Sequence, residues 1–353
     1  MSRKSVSGVP SALDEVLLEE VEEVSENKLL LQSSPHVRDT ESTQRVMVTV
    51  VMALLPAVIA GTVFFGLRAL FIMLLSVVAC LLFEGAALKV AGKSVRAHLM
   101  DGSAVITGLL VAMNLPSGIP WWMVVIGALV AIVLGKHVYG GLGNNPFNPA
   151  LVARVFLLIS FPTAMTSWPM TGFQDGGPDV ITAATPLGVL QMEGPARALE
   201  AASYMDLLLG NVGGCLGETS AVALLLGGLF LLVRRVISWE IPVTFIATVF
   251  AITSITWLVA PDSHIDPLWH VLSGGVMLGA WFMATDMVTS PVSRKGMLLF
   301  GLGCGFFTCV IRLWAGYPEG VSFAILIMNG LVPLIDRYLV PSRFGETTGK
   351  EAA

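Results

Sequence analysis

The chain has 353 residues, 55% of them hydrophobic and only 13% charged, with a mean hydropathy of +0.79. A soluble domain carries roughly 25% charged residues, so this composition excludes an ordinary water-soluble fold and points to a polytopic membrane protein. The formal net charge of −5 accompanies no basic stripe and no interleaving of aromatic and basic residues, which argues against a nucleic-acid partner.

Residues 1–44 form an acidic extension containing "LDEVLLEEVEEVSE". It has no short apolar core with a cleavage site, so it does not read as a secretory signal; a short helix is expected over 13–24. A transmembrane domain is expected over 45–338 and a short tail over 339–353. Within the domain ten apolar runs approach or exceed the roughly 20 residues that cross a bilayer: about 46–66, 70–90, 102–115, 120–136, 148–163, 206–233, 241–260, 269–287, 295–315 and 319–337. The predicted fold class is therefore an all-α polytopic membrane protein with about ten transmembrane helices.

The third and fifth runs are short, and "NLPSGIP" and "GGLGNNPFNPA" bracket them with Gly, Asn and Pro. Broken helices of that kind are tolerated in a membrane only where their backbone is buried in protein or lines a cavity. The 206–233 run contains "GNVGGCLGETS", which also reads as a re-entrant piece. At an offset of 171 residues Gly108 meets Gly279, Ala153 meets Ala324 and Pro162 meets Pro333. An offset of five spans reverses direction, so this echo suggests two inverted five-helix repeats.

Arg38, Arg45, Lys89, Lys93, Arg96, Lys136, Arg234, Arg235, Arg294, Lys295, Arg337 and Arg343 fall at one set of span ends. By the positive-inside rule both termini are cytoplasmic and the 164–205 loop faces outward, with Arg312 as the exception. Trp121, Trp122 and Trp168 read as interfacial anchors at the outer side. Ionisable residues within spans are costly and therefore candidates for function. Glu84, Glu218, Asp286 and Asp336 are the candidates for an ion path, weighed against ordinary solvated or salt-bridged carboxylates at the interface. His137 beside Lys136 reads as an interfacial residue. The cysteines, Cys80, Cys215, Cys304 and Cys309, form no CxxC or Cys/His cluster, so no metal or iron–sulfur site is expected within this chain alone.

The outer loop carries "PDVITAATPL". Its ordinary reading is an Asp- and Thr-rich turn, since loop hydroxyls usually bond nearby backbone. Yet Asp179, Thr182, Ala184 and Thr185 match D-x-x-[ST]-x-A-T, the acceptor pattern of bacterial flavin transferases, which join flavin mononucleotide to the last Thr by a phosphoester. Small alanines at 183 and 184 would admit the transferase to an accessible loop.

From about 33 to 343 the chain resembles the RnfD/NqrB family of membrane subunits, on "SSPHVRDTESTQRVM", "KHVYGGLGNNPFNPALVARVFLLISFP", "DVITAATPL" and "GYPEGVSFAILIMNGLVPLIDR". Length favours the branch from the Rnf complex over the NqrB branch from the sodium-translocating NADH:quinone reductase. The acidic extension departs from the family pattern. The resemblance implies an electron-relay subunit of a bacterial inner-membrane enzyme complex, with Thr185 on the periplasmic side. That complex passes electrons between ferredoxin or flavodoxin and NAD, coupled to Na+ or H+ movement. FMN would be covalent on Thr185, and the family also suggests a non-covalent riboflavin. Implied partners are the other members of the complex, including one with a second covalent FMN, a flavin transferase for maturation, and membrane lipid.

The chain has no visible NAD or ferredoxin site, so no complete activity is expected of it alone. Backbone N–H groups near "GNNPFNPA" and "GNVGGCLGET" could serve a flavin phosphate, or their glycines could simply permit close packing; orientation puts the first on the side opposite Thr185. The rival reading is a small-solute channel or secondary transporter, motivated by the repeat and the interrupted helices.

Overall fold

A backbone in hydrocarbon finds no water for its N–H and C=O groups, so each apolar run has to close its hydrogen bonds internally as a helix. The computed structural model describes residues 42–169, 182–218 and 220–340. The acidic extension and its expected helix lie outside the described residues, as do Asp179 and most of the C-terminal tail. In chain order the principal helices are α1 (Thr43–Phe65), α2 (Leu67–Val90), α3 (Ser103–Met113), α4 (Trp121–His137), α5 (Pro149–Ser160) and α6 (Pro186–Glu193). They continue with α7 (Ala221–Val233), α8 (Glu240–Val259), α9 (Pro267–Leu272), α10 (Val276–Leu278, running on as a π-helical turn over Gly279–Met283), α11 (Arg294–Trp314) and α12 (Val321–Tyr338). The last eight residues of α4, Val130–His137, are also π-helical.

Five of these helices, α1, α2, α8, α11 and α12, are long and apolar enough to cross a membrane, and α3, α4, α5 and α7 are shorter apolar helices. The chain is an all-α polytopic membrane protein. Two expected runs are not continuous. The 206–233 run breaks into a short helix, Tyr204–Leu209, a non-helical stretch, and α7. The 269–287 run breaks at Ser273–Gly275 between α9 and α10. The freed backbone is satisfied between segments. Leu216 N donates to Leu115 O at 3.1 Å and Gly217 N to Met113 O at 2.8 Å, with an antiparallel bridge between Pro116 and Cys215. The stretch after α3 and the stretch before α7 thus complete one another in the interior.

The echo in the sequence is present in the helices. Shifting α2 (67–90) by 171 residues gives 238–261, where α8 runs 240–259; α3 lands on 274–284, around α10; α5 lands on 320–331, at the start of α12. The equivalent helices α1 and α7 pack on each other, as do α5 and α12. Gly108 and Gly279 are matched by need: an added β-carbon would lie 2.7 Å from Val77 Cα at the first and 2.4 Å from Val321 Cγ1 at the second. Ala153 and Ala324 are both fully buried. Pro162 and Pro333 are not equivalent in structure, since Pro162 opens a one-turn helix and Pro333 lies inside α12.

Small residues and sulfur-containing or branched side chains fill the interior, while Ile59, Leu67, Leu82 and Val259 point outward, as expected of helices whose solvent is lipid. Trp121 and Trp122 are exposed, in keeping with an interfacial role. Trp168 corrects its expectation: it is 9% exposed and pairs through the two-residue strand Trp168–Pro169 with Thr182–Ala183. Arg312, the exception to the charge pattern, is also buried. Its Nη1 and Nη2 donate to His270 O at 2.7 Å and Ser273 O at 3.1 Å, closing the carbonyl end of α9 in the manner of a basic C-terminal cap.

Candidate functional site

Thr185 is the N-cap of α6. Its φ and ψ of −61° and 156° are extended, Pro186 follows at the first helical position, and its Oγ1 accepts from Gly188 N at 3.0 Å. Thr-Pro is the expected start of a helix, because the hydroxyl satisfies an orphan N–H and proline needs none. Of the expected motif, Thr182 lies in the short ladder opposite Pro169, Ala184 is exposed, and Asp179 lies outside the described residues. The expectation of an accessible acceptor needs correction, because Thr185 is only 5% exposed. The capping bond draws its hydroxyl onto the helix, and neighbouring segments cover it.

That cover has its own small core. Leu187, Ala198, Ala202, Leu207, Val212, Ile265 and Trp269 form a buried cluster separate from the main one. Trp269 Nε1 donates to Ala202 O at 3.3 Å, Tyr204 Oη to Asp266 Oδ2 at 3.0 Å, and Gln191 Nε2 to Ala315 O at 3.2 Å. The segment after Thr185 is docked onto the α8–α9 and α11–α12 loops.

Beneath Thr185 lies a narrow pocket, lined by Thr185, Leu187, Gly214, Glu218, Gly274 and Glu319 among others. Its two carboxylates meet on one guanidinium. Arg154 comes from α5, Glu218 from the stretch before α7, and Glu319 from the residue pair preceding α12. Arg154 Nη1 donates to Glu218 Oε1 at 3.1 Å and to Asn114 Oδ1 at 2.7 Å, and Nη2 donates to Glu319 Oε2. Cys215 Sγ donates to Asn114 O at 3.3 Å, and atoms of Cys215, Glu218 and Glu319 lie within 4.8 Å of one another. Cys215 thus sits among polar groups, next to two carboxylates and the Asn114 carbonyl. Burial beside Glu218 pushes the Glu319 carboxyl in its loop up to about 8, against the pull of Arg154 and Arg312; a buried like-charged neighbour disfavours ionisation.

At the opposite ends of the helices a second buried group forms. Lys136 Nζ donates to Glu84 Oε1 and to Ser103 Oγ, both at 2.8 Å, and His137 Nε2 stands 3.1 Å from Glu84 Oε2. Ser103 Oγ donates onward to Asp101 Oδ1 at 2.6 Å. Lys136 is 2% exposed, so it is an interior ion-pair partner and not a free interfacial cation; His137 belongs to the same group. Lys136 and Ser103 also line a cavity of about 120 Å3, together with Val46, Asn148, Thr285 and Asp286.

The four expected ion-path residues do not come together. Glu84 and Glu218 enter different clusters. Asp286 accepts from Val288 N and Thr289 Oγ1 at 3.3 and 3.2 Å, and Asp336 accepts from Val292 N at 3.1 Å. These last two hold turns at their own end of the bundle, Asp286 while lining the cavity beside Lys136.

A family model described as the NQR2, RnfD, RnfE family matches residues 30–345. The chain belongs to this family. Among its relatives, the D subunit of the proton-translocating ferredoxin:NAD(+) oxidoreductase complex of Clostridium ljungdahlii is 44% identical over 331 residues, covering 92% of this chain and 98% of the relative. The D subunit of the Na(+)-translocating ferredoxin:NAD(+) oxidoreductase complex of Acetobacterium woodii is 44% identical over 335 residues, covering 94% and 99%. The D subunit of the ion-translocating oxidoreductase complex of Stutzerimonas stutzeri is 44% identical over 328 residues, covering 86% and 92%.

Sequence reasoning missed Arg154, Lys136 and Glu319 as members of buried clusters. The signal for the first was present: a lone arginine inside "NPALVARVFLLISFP" is as costly in a membrane helix as a lone carboxylate, and it shares its face with buried Ala150, Leu151 and Leu157.

Proposed function

We propose that this chain is the flavin-carrying electron-relay subunit of an inner-membrane complex that passes electrons between ferredoxin or flavodoxin and NAD, coupled to Na+ or H+ translocation. Family membership and relatives matched over nearly their whole length support the complex. The relay role rests on one observation: the last threonine of the D-x-x-[ST]-x-A-T pattern caps the N-terminus of an eight-residue helix. A helix N-terminus presents N–H groups and a positive dipole end to an anion, so a phosphate esterified to Thr185 meets a suitable electrostatic setting. The ester oxygen keeps a lone pair for Gly188 N–H, so the cap survives modification.

FMN on Thr185 would supply the redox chemistry; the chain supplies attachment and surroundings. The non-covalent riboflavin would lie at the cavity that Lys136 and Ser103 border. Val46 and Ile106 offer apolar walls there, and Asn148, Thr107 and Asp286 offer polar groups. In this reading the termini face the cytoplasm and Thr185 the periplasm. The other members of the complex, one with a second covalent FMN, exchange electrons with this one.

The test is co-expression with a flavin transferase, followed by ultraviolet imaging of a denaturing gel. Wild type should fluoresce and Thr185→Val should be dark. Two fluorescent bands would move the tether elsewhere. Two dark bands, with the transferase active on a control acceptor, would favour the solute-transport reading that the inverted repeat also supports.

A further inference from the structure

We propose that the Glu218–Glu319 pair beneath Thr185 is a proton-binding site, loaded from the water at its own face, whose occupancy follows the charge on the flavin. This rests on the reading that Thr185 carries FMN, and it assigns the pair a role in that relay.

Three features of the cluster carry the inference. Two carboxylates share the single guanidinium of Arg154, so that arginine alone leaves one negative charge over in a site largely closed to water. Among the described residues, the buried Glu319 Oε1 has no hydrogen-bond partner, and neither has Nε of Arg312, a residue 8% exposed that lies beside Glu319 across Gly274. The site therefore holds unspent polar capacity on both sides. Finally, Thr185 lines the same pocket as both carboxylates, so a charge on its substituent acts on them over a short path through a poorly solvated medium, where electrostatic interactions are strong.

The titratable and charged groups that face the pair, among the described residues, are Arg154 from α5, Arg312 from α11, the Cys215 thiol, and each carboxyl toward the other. Both arginines keep their charge, so the variable member is a carboxyl. Glu319 is the better placed of the two to exchange with water: its side chain is 12% exposed, against 4% for Glu218.

An electron reaches the flavin from a redox partner in the complex, and one proton from the adjacent water adds to a carboxylate oxygen of Glu319. No covalent bond to a heavy atom forms or breaks. The resulting carboxylic acid donates to Glu218. When the electron leaves, the proton is released. Coupling is reciprocal: reduction favours the proton, and the proton favours reduction.

The experiment uses the assembled, flavinylated complex. The covalent flavin is titrated potentiometrically from about pH 6 to about pH 10, with the Thr185→Val complex identifying the signal of any other flavin. The wild-type midpoint should change its pH dependence near about pH 8. In Glu319→Gln that break should vanish, with the midpoint above wild type at alkaline pH and close to it at acidic pH. Infrared difference spectra of wild type, reduced minus oxidised, should contain a protonated-carboxyl C=O band that is absent in Glu319→Gln. The wild-type spectrum needs no variant, so its lack of a carboxyl band overturns the proposal even if the variant fails to assemble. A titration profile unchanged in both Glu319→Gln and Glu218→Gln also overturns it. A dark Thr185 band instead refutes the flavin reading itself, which distinguishes the two failures.

Discussion

The two buried ion clusters sit at opposite ends of the same bundle and are built on different principles. At one end Glu84 meets one ammonium, Lys136, whose further bond to Ser103 is also made. Glu84 and Lys136 balance, and their side chains are 3% and 2% exposed. At the other end two carboxylates meet the guanidinium of Arg154, with Arg312 beside Glu319 across Gly274, and the cluster borders the pocket under Thr185. A balanced buried pair stabilises a particular packing or merely breaks even against apolar side chains. Two crowded carboxylates include a group whose charge state can change. One chain thus carries a one-to-one ion pair at one end and two carboxylates crowded around a shared guanidinium at the other.

The largest effect is expected where two buried carboxylates lose the guanidinium that bonds both of them. Arg154→Leu strands two carboxylates, and breaking even one buried pair costs about 3–5 kcal/mol. Little monodisperse protein should be recovered in detergent, and Arg154→Lys should recover part of it. Substantial recovery of a thermally normal Arg154→Leu protein would show that the cluster does not hold α5, the pre-α7 stretch and α12 together.

Next comes the balanced pair. Lys136→Met alone should cost about 3–5 kcal/mol by leaving Glu84 buried without its ammonium partner and with only His137 beside it, while Lys136→Met with Glu84→Leu should regain most of that loss. Thermal unfolding of the two proteins decides it, and equal losses would mean that the pair is not coupled.

A smaller effect is expected from pH. The Glu319 carboxyl is raised from its ordinary value of 4.5 to about 8, so between those values the folded chain binds more protons than the unfolded one. Stability is then greatest below the ordinary value and falls as pH rises through about 8. Glu319→Gln should flatten this fall in a thermal melt series, and an unchanged slope would assign it to another group. Smallest is the capping bond: Thr185→Val in unflavinylated protein should lose about 1 kcal/mol, read by the same melts.

The helix layout was legible because lipid-facing segments write their length into composition, and "GGLGNNPFNPA" or "GNVGGCLGETS" announce where a helix stops. The 171-residue repeat was legible from pairs such as Gly108 and Gly279, whose lack of a side chain is a packing requirement at both sites. The polar interior was much less so. Arg154 and Glu319 are 165 residues apart, and no local spacing joins them. Glu319 sits in "GYPEG", which reads as an ordinary outer turn, and Lys136 read as an orientation marker because its pairing with Glu84 depends on how α2 and α4 face each other. The motif singled out Thr185 but not its burial, since the cover comes from segments on both sides of α9.

Because Thr185 is the first fixed point of a helix, anything bonded to its hydroxyl is held on a short leash. An acceptor in a floppy loop would let a redox group wander over many positions, and electron tunnelling slows exponentially with each added ångström. A capped threonine removes the backbone and the side-chain torsion from that wandering and leaves only the bonds of the attached group itself. Its redox partners can then be spaced for one distance of electron hopping instead of an average over many.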